Sequence, residues 1–358
     1  MILGIESSCD DSSVALLNSA NLKLEFHKKI SQESEHAKFG GVVPELAARL
    51  HTAALPALLE EIKPHFSQIK AIAVTNEPGL SVSLVGGVSM AKALSIGLKK
   101  PLIGVNHLAG HIYSLFIESK SRFPLGVLLI SGGHTLVLNI DKFGKVEVLA
   151  TTSDDSFGES FDKVAKMMNL GYPGGATIEK LAKFGDESKF EFTIPIKDKN
   201  RLEYSFSGLK NQVRTQIEKL KQNKNSAINS DKNLLNLEEI LGFMPNLQMN
   251  LQDICDISVS FQKTAILHIL DKLKLIFPLY KFERFAVVGG ASANLLLRSE
   301  IEKLAQIYNC ELLLAPLKFC SDNAAMIARA GLAKYERGEF VGYDLQINPT
   351  CDFSNMKI

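Results

Sequence analysis

Short apolar runs broken by small polar turns alternate along this chain with stretches in which apolar residues recur at steps of three and four, which predicts strands interleaved with helices. Residues 2–5 and 14–17 are apolar runs on either side of Glu6-Ser-Ser-Cys-Asp-Asp-Ser-Ser13, giving a strand, a polar turn and a returning strand. Pro44 suits the first position of a helix, and Leu46, Leu50, Ala54, Leu58 and Ile62 form one apolar stripe that Pro64 ends. Residues 69–75 read as a strand, 83–98 as a helix and 102–105 as the next strand, an order that predicts a parallel sheet.

The second half repeats the layout of the first. Runs at 125–130, 136–140 and 146–151 read as strands joined by Ser131-Gly-Gly-His-Thr135 and Asp141-Lys-Phe-Gly144. The repetition of pattern predicts two related α/β lobes facing one another across a cleft. Asp162 lies in a helix that leads into Gly171-Tyr-Pro-Gly-Gly175, a turn whose backbone amides are what it presents. Ser205-Phe-Ser-Gly-Leu-Lys210 opens another helix, and residues 221–236, rich in Asn, Lys and Ser, read as a surface linker or insertion. A strand at 285–288 runs into Gly289-Gly-Ala-Ser-Ala-Asn294, where glycines allow backbone to approach a flat ligand and a helix start favours an anion. After a strand at 311–315, Asp322 precedes a helix over 323–337; an Asp there is usually an N-cap, and it is also a carboxylate at a strand end.

Asn106-His107-Leu-Ala-Gly-His111 organises the rest. Asn106 can cap a helix that follows the strand, and the two histidines then share one helical face, where both imidazoles can reach a single metal ion. From the pair alone, a metal site and two ordinary half-buried histidines both stay open.

Composition narrows the class of protein. With 358 residues, 46% hydrophobic and 22% charged, the chain can bury a large core, and a net charge of +1 advertises no nucleic acid. An RNA contact would need a local patch such as Lys28, Lys29, Lys38 and Arg49, each of which also reads as solvated surface. Five cysteines without a CxxC pair, no basic leader and no run near the roughly 18 apolar residues of a membrane span give the expectation of a cytoplasmic protein, neither exported nor inserted.

Taken in order, Gly4-Ile-Glu-Ser-Ser-Cys-Asp-Asp11, His107-Leu-Ala-Gly-His111, Leu129-Ile-Ser-Gly-Gly-His-Thr135, Asp162, Tyr172-Pro-Gly-Gly175, Phe206-Ser-Gly-Leu-Lys210, Gly289-Gly-Ala-Ser-Ala-Asn294 and Cys320-Ser-Asp-Asn323 resemble one family, the bacterial tRNA N6-adenosine threonylcarbamoyltransferases (TsaD), once labelled glycoproteases. The resemblance runs from residue 2 to about residue 337. It implies an actin-like ATPase (ribonuclease H-like) α/β fold of two lobes. On that basis residues 1–105 form the first lobe and 106–322 the second, with a polar insertion at 221–252; the helix 323–337 can pack back on the first lobe, and 338–358 form a tail. It implies one divalent metal per subunit, iron before zinc, on His107, His111 and Asp322. Substrate contacts carry over to Leu129, Ile130, Ser131, Gly132, Gly133, Asp162, Gly175, Glu179 and Asn294. The activity implied is transfer of a threonylcarbamoyl group from its adenylate to N6 of the adenosine beside the anticodon in tRNAs reading codons that begin with A. The implied partners are tRNA, an actin-like paralogue and a small P-loop ATPase. The chain departs from the family in the length of 221–252, in Leu136 where Gln often stands, and in Leu129 where archaeal and eukaryotic relatives place a tyrosine ligand. Leu129 cannot coordinate, so an open metal position is expected.

Such a transfer needs a polarised carbonyl or phosphate, an immobile adenylate and acceptance of a proton from the amine. Polarisation falls to the ion at His107, His111 and Asp322, the phosphates to the Ser131–Gly133 turn and adenosine to Gly174, Gly175 and Asn294. Asp162 is the candidate for the ribose hydroxyls and Asp10 the catalytic candidate, organising charge near the phosphates. Three rivals are a metalloprotease, a non-catalytic actin-like nucleotide-binding scaffold and an actin-like kinase. The first has Leu108 where the general-base Glu of H-E-x-x-H stands, the second has no need of a metal, and the third lacks an evident base beyond Asp10.

Overall fold

The structure is a computed structural model that describes residues 1–222, 240–242, 247–351 and 356–358; residues 223–239 and 243–246 of the expected insertion lie outside the described residues. The chain opens with β1 (Ile2–Glu6), β2 (Asp11–Leu17) and β3 (Leu24–Ser31), followed by α1 (Glu33–Ala37) and α2 (Pro44–Ile62). Then come β4 (Ala71–Glu77), α3 (Ser81–Leu98), β5 (Leu102–Asn106) and α4 (His107–Tyr113). The second sheet takes β6 (Leu125–Ile130), β7 (Thr135–Ile140), β8 (Val146–Thr152), the short β9 (Glu203–Tyr204), β10 (Arg284–Val288) and β11 (Glu311–Leu314). Among these strands run α5 (Phe157–Met167), α6 (Gly175–Ala182), α7 (Ser207–Gln222), α8 (Leu251–Tyr280) and α9 (Leu295–Ile307), and α10 (Ala324–Glu336) follows the last strand.

Both sheets carry one strand order, β3-β2-β1-β4-β5 and β8-β7-β6-β10-β11, with β9 added beyond β8. In each, the first three strands form an antiparallel meander and the last two run parallel to the first. The central strands β1 and β6 are buried at every position, which is why their sequences are apolar apart from Glu6 at the end of β1. The likeness of pattern between the halves is thus a likeness of topology.

One apolar cluster joins the sheets, with Ile2, Ala73, Val105, Leu108, Val127, Leu129 and Ile327 among its members. Helix α10 brings the second half of the chain back onto β1, β2 and β4. Its backbone comes so close to β1 that a Cβ at Gly4 would overlap the Ala324 carbonyl and Ala328, so this strand position takes glycine. Helices α2 and α3 cover the other face of the first sheet.

The structure sharpens four readings of the sequence. The polar turn is confined to residues 7–10, because Glu6 already pairs with Ser13 and Asp11 with Ser31. Asp322 is not a helix cap; Asn323 is, its Oδ1 accepting the Met326 amide at 2.9 Å, which leaves the Asp322 carboxylate to other partners. Helix α3 is long and apolar enough, by length and composition, to cross a membrane, yet Ser83, Leu84, Gly87, Val88, Ala91 and Ser95 are buried as it packs on β4 and α2. Finally, Lys28, Lys29 and Lys38 pair with Glu61, Asp11 and Glu35 at 2.6, 2.7 and 2.7 Å, so three of the four cations in the candidate basic patch are neutralised locally.

Candidate metal centre and facing glycine turns

Two segments that follow the carboxyl ends of strands build the centre, one after β5 and one after β11. Asn106 ends β5 and caps α4, its Oδ1 accepting the amides of Leu108 and Ala109 at 2.9 and 3.2 Å, as its position predicts. The helix starts immediately, so His107 and His111 lie one turn apart with ring centroids 4.6 Å from each other. Asp322, just ahead of the Asn323 cap, reaches them from the far end of the chain. Its Oδ1 lies 3.4 Å from His107 Nε2 and 3.3 Å from His111 Nε2.

One donor atom from each of the three residues lies within 4.8 Å of the others, a separation a single cation can bridge. His111 is fully buried, and neither of its ring nitrogens makes a properly directed hydrogen bond, its 3.3 Å approach to Asp322 notwithstanding. An orphaned buried imidazole is costly unless something fills its lone pair, so the residues present fit a metal. Two imidazoles and one carboxylate leave further coordination positions open, and Asp322 retains some exposure on that side. Leu129 is buried in the strand-joining core and supplies no ligand.

The electrostatics follow from burial and the charges alongside. Burial alone would lower the His107 pKa, but the Asp322 and Glu6 carboxylates outweigh it and hold the imidazole well above its ordinary value. Burial would likewise raise Asp322, and the two histidines hold it well below the usual carboxylate range. For His111 burial prevails and its pKa is lowered. In the first glycine turn, burial and then the charges of His107 and His111 push His134 down to about 4, which places that turn within electrostatic reach of the centre.

The glycine turns lie side by side at the ends of β6 and β10. In the first, Ser131 and His134 close the turn on themselves, and the Ser156 hydroxyl both caps α5 and donates to the Gly132 carbonyl at 2.6 Å. A Cβ at Gly132 or Gly133 would meet nothing within 4 Å, so this backbone faces open space. The third turn begins at Gly289, whose φ of +93° and contact with the Ile130 carbonyl leave no room for a side chain. The face at Gly175, first residue of α6, is open like that at Gly133.

Several predicted binding side chains are otherwise engaged. Asp162 Oδ1 accepts the Gly174 amide at 2.7 Å, and the Gly175 amide also bonds to this carboxylate, so Asp162 shapes the second turn. Glu179 Oε1 accepts the Leu295 amide at 2.7 Å and ties α6 to the start of α9. Asn294 caps α9, accepting the Leu297 amide at 2.9 Å, and its Nδ2 donates to Gln262 Oε1 at 2.8 Å. Leu129 and Ile130 are fully buried, so only their backbone can meet a ligand. Asp10 lies on the tip between β1 and β2, within electrostatic reach of Tyr172 and Asp162 on the opposite lobe. Sequence reasoning passed over Glu6, Ser156 and Gln262. A charged residue closing a wholly apolar strand was the available signal for Glu6, whereas nothing in spacing marks the other two.

Comparison with known proteins gives the family and the fold. A family model described as TsaD, tRNA N6-adenosine threonylcarbamoyltransferase, matches residues 23–329. A protein named tRNA N6-adenosine threonylcarbamoyltransferase in Campylobacter curvus is 66% identical over 355 residues, covering 99% of this chain and 100% of its own. Its counterpart in Campylobacter hominis is 62% identical over 359 residues, covering 100% of both chains. Among solved structures, HypF in its phosphate- and nucleotide-bound form superposes over 95% of this chain with a TM-score of 0.57 at 15% identity, and HypF of T. kodakarensis does so with 0.57 at 14%. The chain spans 56% and 48% of those two proteins, and the likeness is one of fold: two related α/β lobes of the actin-like ATPase kind.

Proposed function

Because the chain belongs to the tRNA N6-adenosine threonylcarbamoyltransferase family, we infer that it transfers a threonylcarbamoyl group from threonylcarbamoyl-adenylate to N6 of the adenosine adjacent to the anticodon in tRNAs that read codons beginning with A. The observation that carries this reading is the His107, His111 and Asp322 cluster, whose helix α4 packs on β6, the strand that ends in the open Gly132–Gly133 turn. That packing supports a Lewis acid acting beside an anion cradle in one molecule.

Iron or zinc held by these three residues would polarise the carbamoyl or phosphate oxygen, and a set of two histidines and one carboxylate with open positions suits iron(II) in particular. The chain's own part is positioning. Backbone amides of Gly132 and Gly133 hold the phosphate, with the Ser131 amide spent on closing the turn against the His134 carbonyl, and the α5 start that Ser156 ties to the turn aids them. Gly174 and Gly175 flank the adenosine, while Asp162, Glu179 and Asn294 keep the second and third turns in register with each other. Asp10, at its tip opposite Tyr172, organises charge beside the phosphates. The target adenosine sits in a single-stranded loop and can be splayed into the site without melting a duplex.

The protein works in the cytoplasm with an actin-like paralogue and a small P-loop ATPase. A row of exposed apolar side chains on α3, Val82, Val85 and Ile96, supports a protein partner on that face. In the test, metal-loaded chain, its partners, labelled threonylcarbamoyl-adenylate and tRNA are combined, with a casein control. Label in tRNA and intact casein are expected; cleaved casein with unlabelled tRNA would favour the protease.

A further inference from the structure

We propose that Glu6 is a positioning residue for the metal centre: its buried carboxylate accepts the Nδ1 proton of His107 and so reserves Nε2, the nitrogen facing Asp322 and His111, for a divalent cation. This role rests on the assignment of His107, His111 and Asp322 as metal ligands.

Glu6 is the last residue of β1 and is fully buried. Its Oε1 accepts the Ser8 amide at 2.6 Å and its Oε2 accepts the Thr75 hydroxyl at 2.5 Å. The same Oε2 lies 3.2 Å from His107 Nδ1, and the Ser8 hydroxyl lies 3.1 Å from that nitrogen. Two tautomers compete for this arrangement. With the proton on Nε2, the Ser8 hydroxyl would donate into the Nδ1 lone pair, and that lone pair would face a carboxylate oxygen at 3.2 Å, acceptor against acceptor. With the proton on Nδ1, the ring donates to Glu6, and Nε2 presents its lone pair toward Asp322 and His111. Each ring nitrogen faces a carboxylate, but Glu6 is fully buried at 3.2 Å from Nδ1, whereas Asp322 is partly exposed at 3.4 Å from Nε2 with room for a cation between them, so the buried carboxylate decides for Nδ1–H. His111 has no such partner on either nitrogen, and its tautomer is left for the cation to set. A carboxylate behind a ligating histidine fixes the ring and strengthens the ligand, and removing such a group costs about 10- to 100-fold in metal affinity.

Glu6→Gln keeps the shape but turns an amide N–H toward Nδ1, donor against donor, which drives His107 to the tautomer that blocks Nε2. Competition for Zn2+ against a chromophoric chelator should show about 10- to 100-fold weaker binding by this variant. Thr75→Val, which removes only the hydroxyl that holds Glu6, should lie between it and the unmodified protein. Long-range 15N–1H correlation on metal-free unmodified protein should find His107 protonated on Nδ1, a readout that requires no variant to fold. An unprotonated Nδ1 on His107 there, or undiminished Zn2+ affinity in Glu6→Gln, overturns the role. Unmodified protein that binds no metal overturns the centre itself and this role with it.

Discussion

The two ends of the site are built by opposite means. At the candidate metal end, three side chains from two distant stretches of sequence converge, and the backbone serves only to aim them: Asn106 sets the helix start beneath His107, and Asn323 takes the capping duty that would otherwise occupy Asp322. At the glycine end the working surface is backbone, bare at Gly132, Gly133 and Gly175, and the polar side chains nearby are spent holding it in place. A centre made of three ligands should fail nearly completely when one is removed. A cradle made of amides should fail by intrusion into it, and only weakly by loss of a single prop.

That contrast can be broken at four points, taken from the largest expected effect downward. His111→Ala removes one ligand of three, and elemental analysis should find near-stoichiometric metal in the unmodified protein against a trace in the variant; equal content in both would dissolve the metal end altogether. Gly133→Val places a branched side chain in the open face, and calorimetry with a non-reactive adenylate analogue should show affinity lower by about tenfold to a hundredfold, from an overpacking cost of about 1–3 kcal/mol. Metal content in that variant should not change. A valine tolerated there would mean that the turn faces away from the ligand.

The third point is the packing of His268 against Tyr204 and Phe206, just ahead of α7. His268 accepts the Ser205 amide on Nε2 at 3.1 Å, and burial, then the nearby Lys272 charge, push its pKa down to about 4. The unfolded chain takes up that proton near pH 6.5 and the folded chain does so only near 4, so stability is complete above 6.5 and declines as pH falls toward 4, by up to roughly 3 kcal/mol. Denaturant midpoints at pH 7.5 and 5 should show this decline, and His268→Gln should flatten it. An unchanged slope in the variant would place the acid sensitivity elsewhere. The smallest effect is expected of Asn294→Ala. Losing the cap of α9 should lower stability by about 0.5–2 kcal/mol while leaving adenylate affinity nearly intact. A large affinity loss without a stability loss would return Asn294 to direct binding.

The same contrast explains what could be read from the letters. Strands, helices and the repeated lobe pattern were legible because apolar runs of buried parallel strands and stripes of amphipathic helices are written locally; β6 runs over residues 125–130, the bounds expected. The histidine pair was legible because a spacing of four fixes a shared face once Asn106 fixes the helix start. Glu6 was not, because its importance comes from Thr75 and His107, which lie 69 and 101 residues away. Asp162, Glu179 and Asn294 carried the right residue types for ligand contact, but type alone does not distinguish a group that touches a ligand from one that holds the amide that does. The distances to Gly174, Leu295 and Leu297 give each of the three a holding role as well.

The central claim is that metal end and glycine end together direct an exocyclic amine onto a bound adenylate. It is tested most directly by single-turnover transfer of labelled threonylcarbamoyl from the adenylate, with metal-loaded protein and its partners, to two tRNAs that differ only in whether the purine beside the anticodon bears an N6 amine. Label on the amine-bearing tRNA and none on the other is the predicted result. Equal labelling of both, or of neither, would contradict the account.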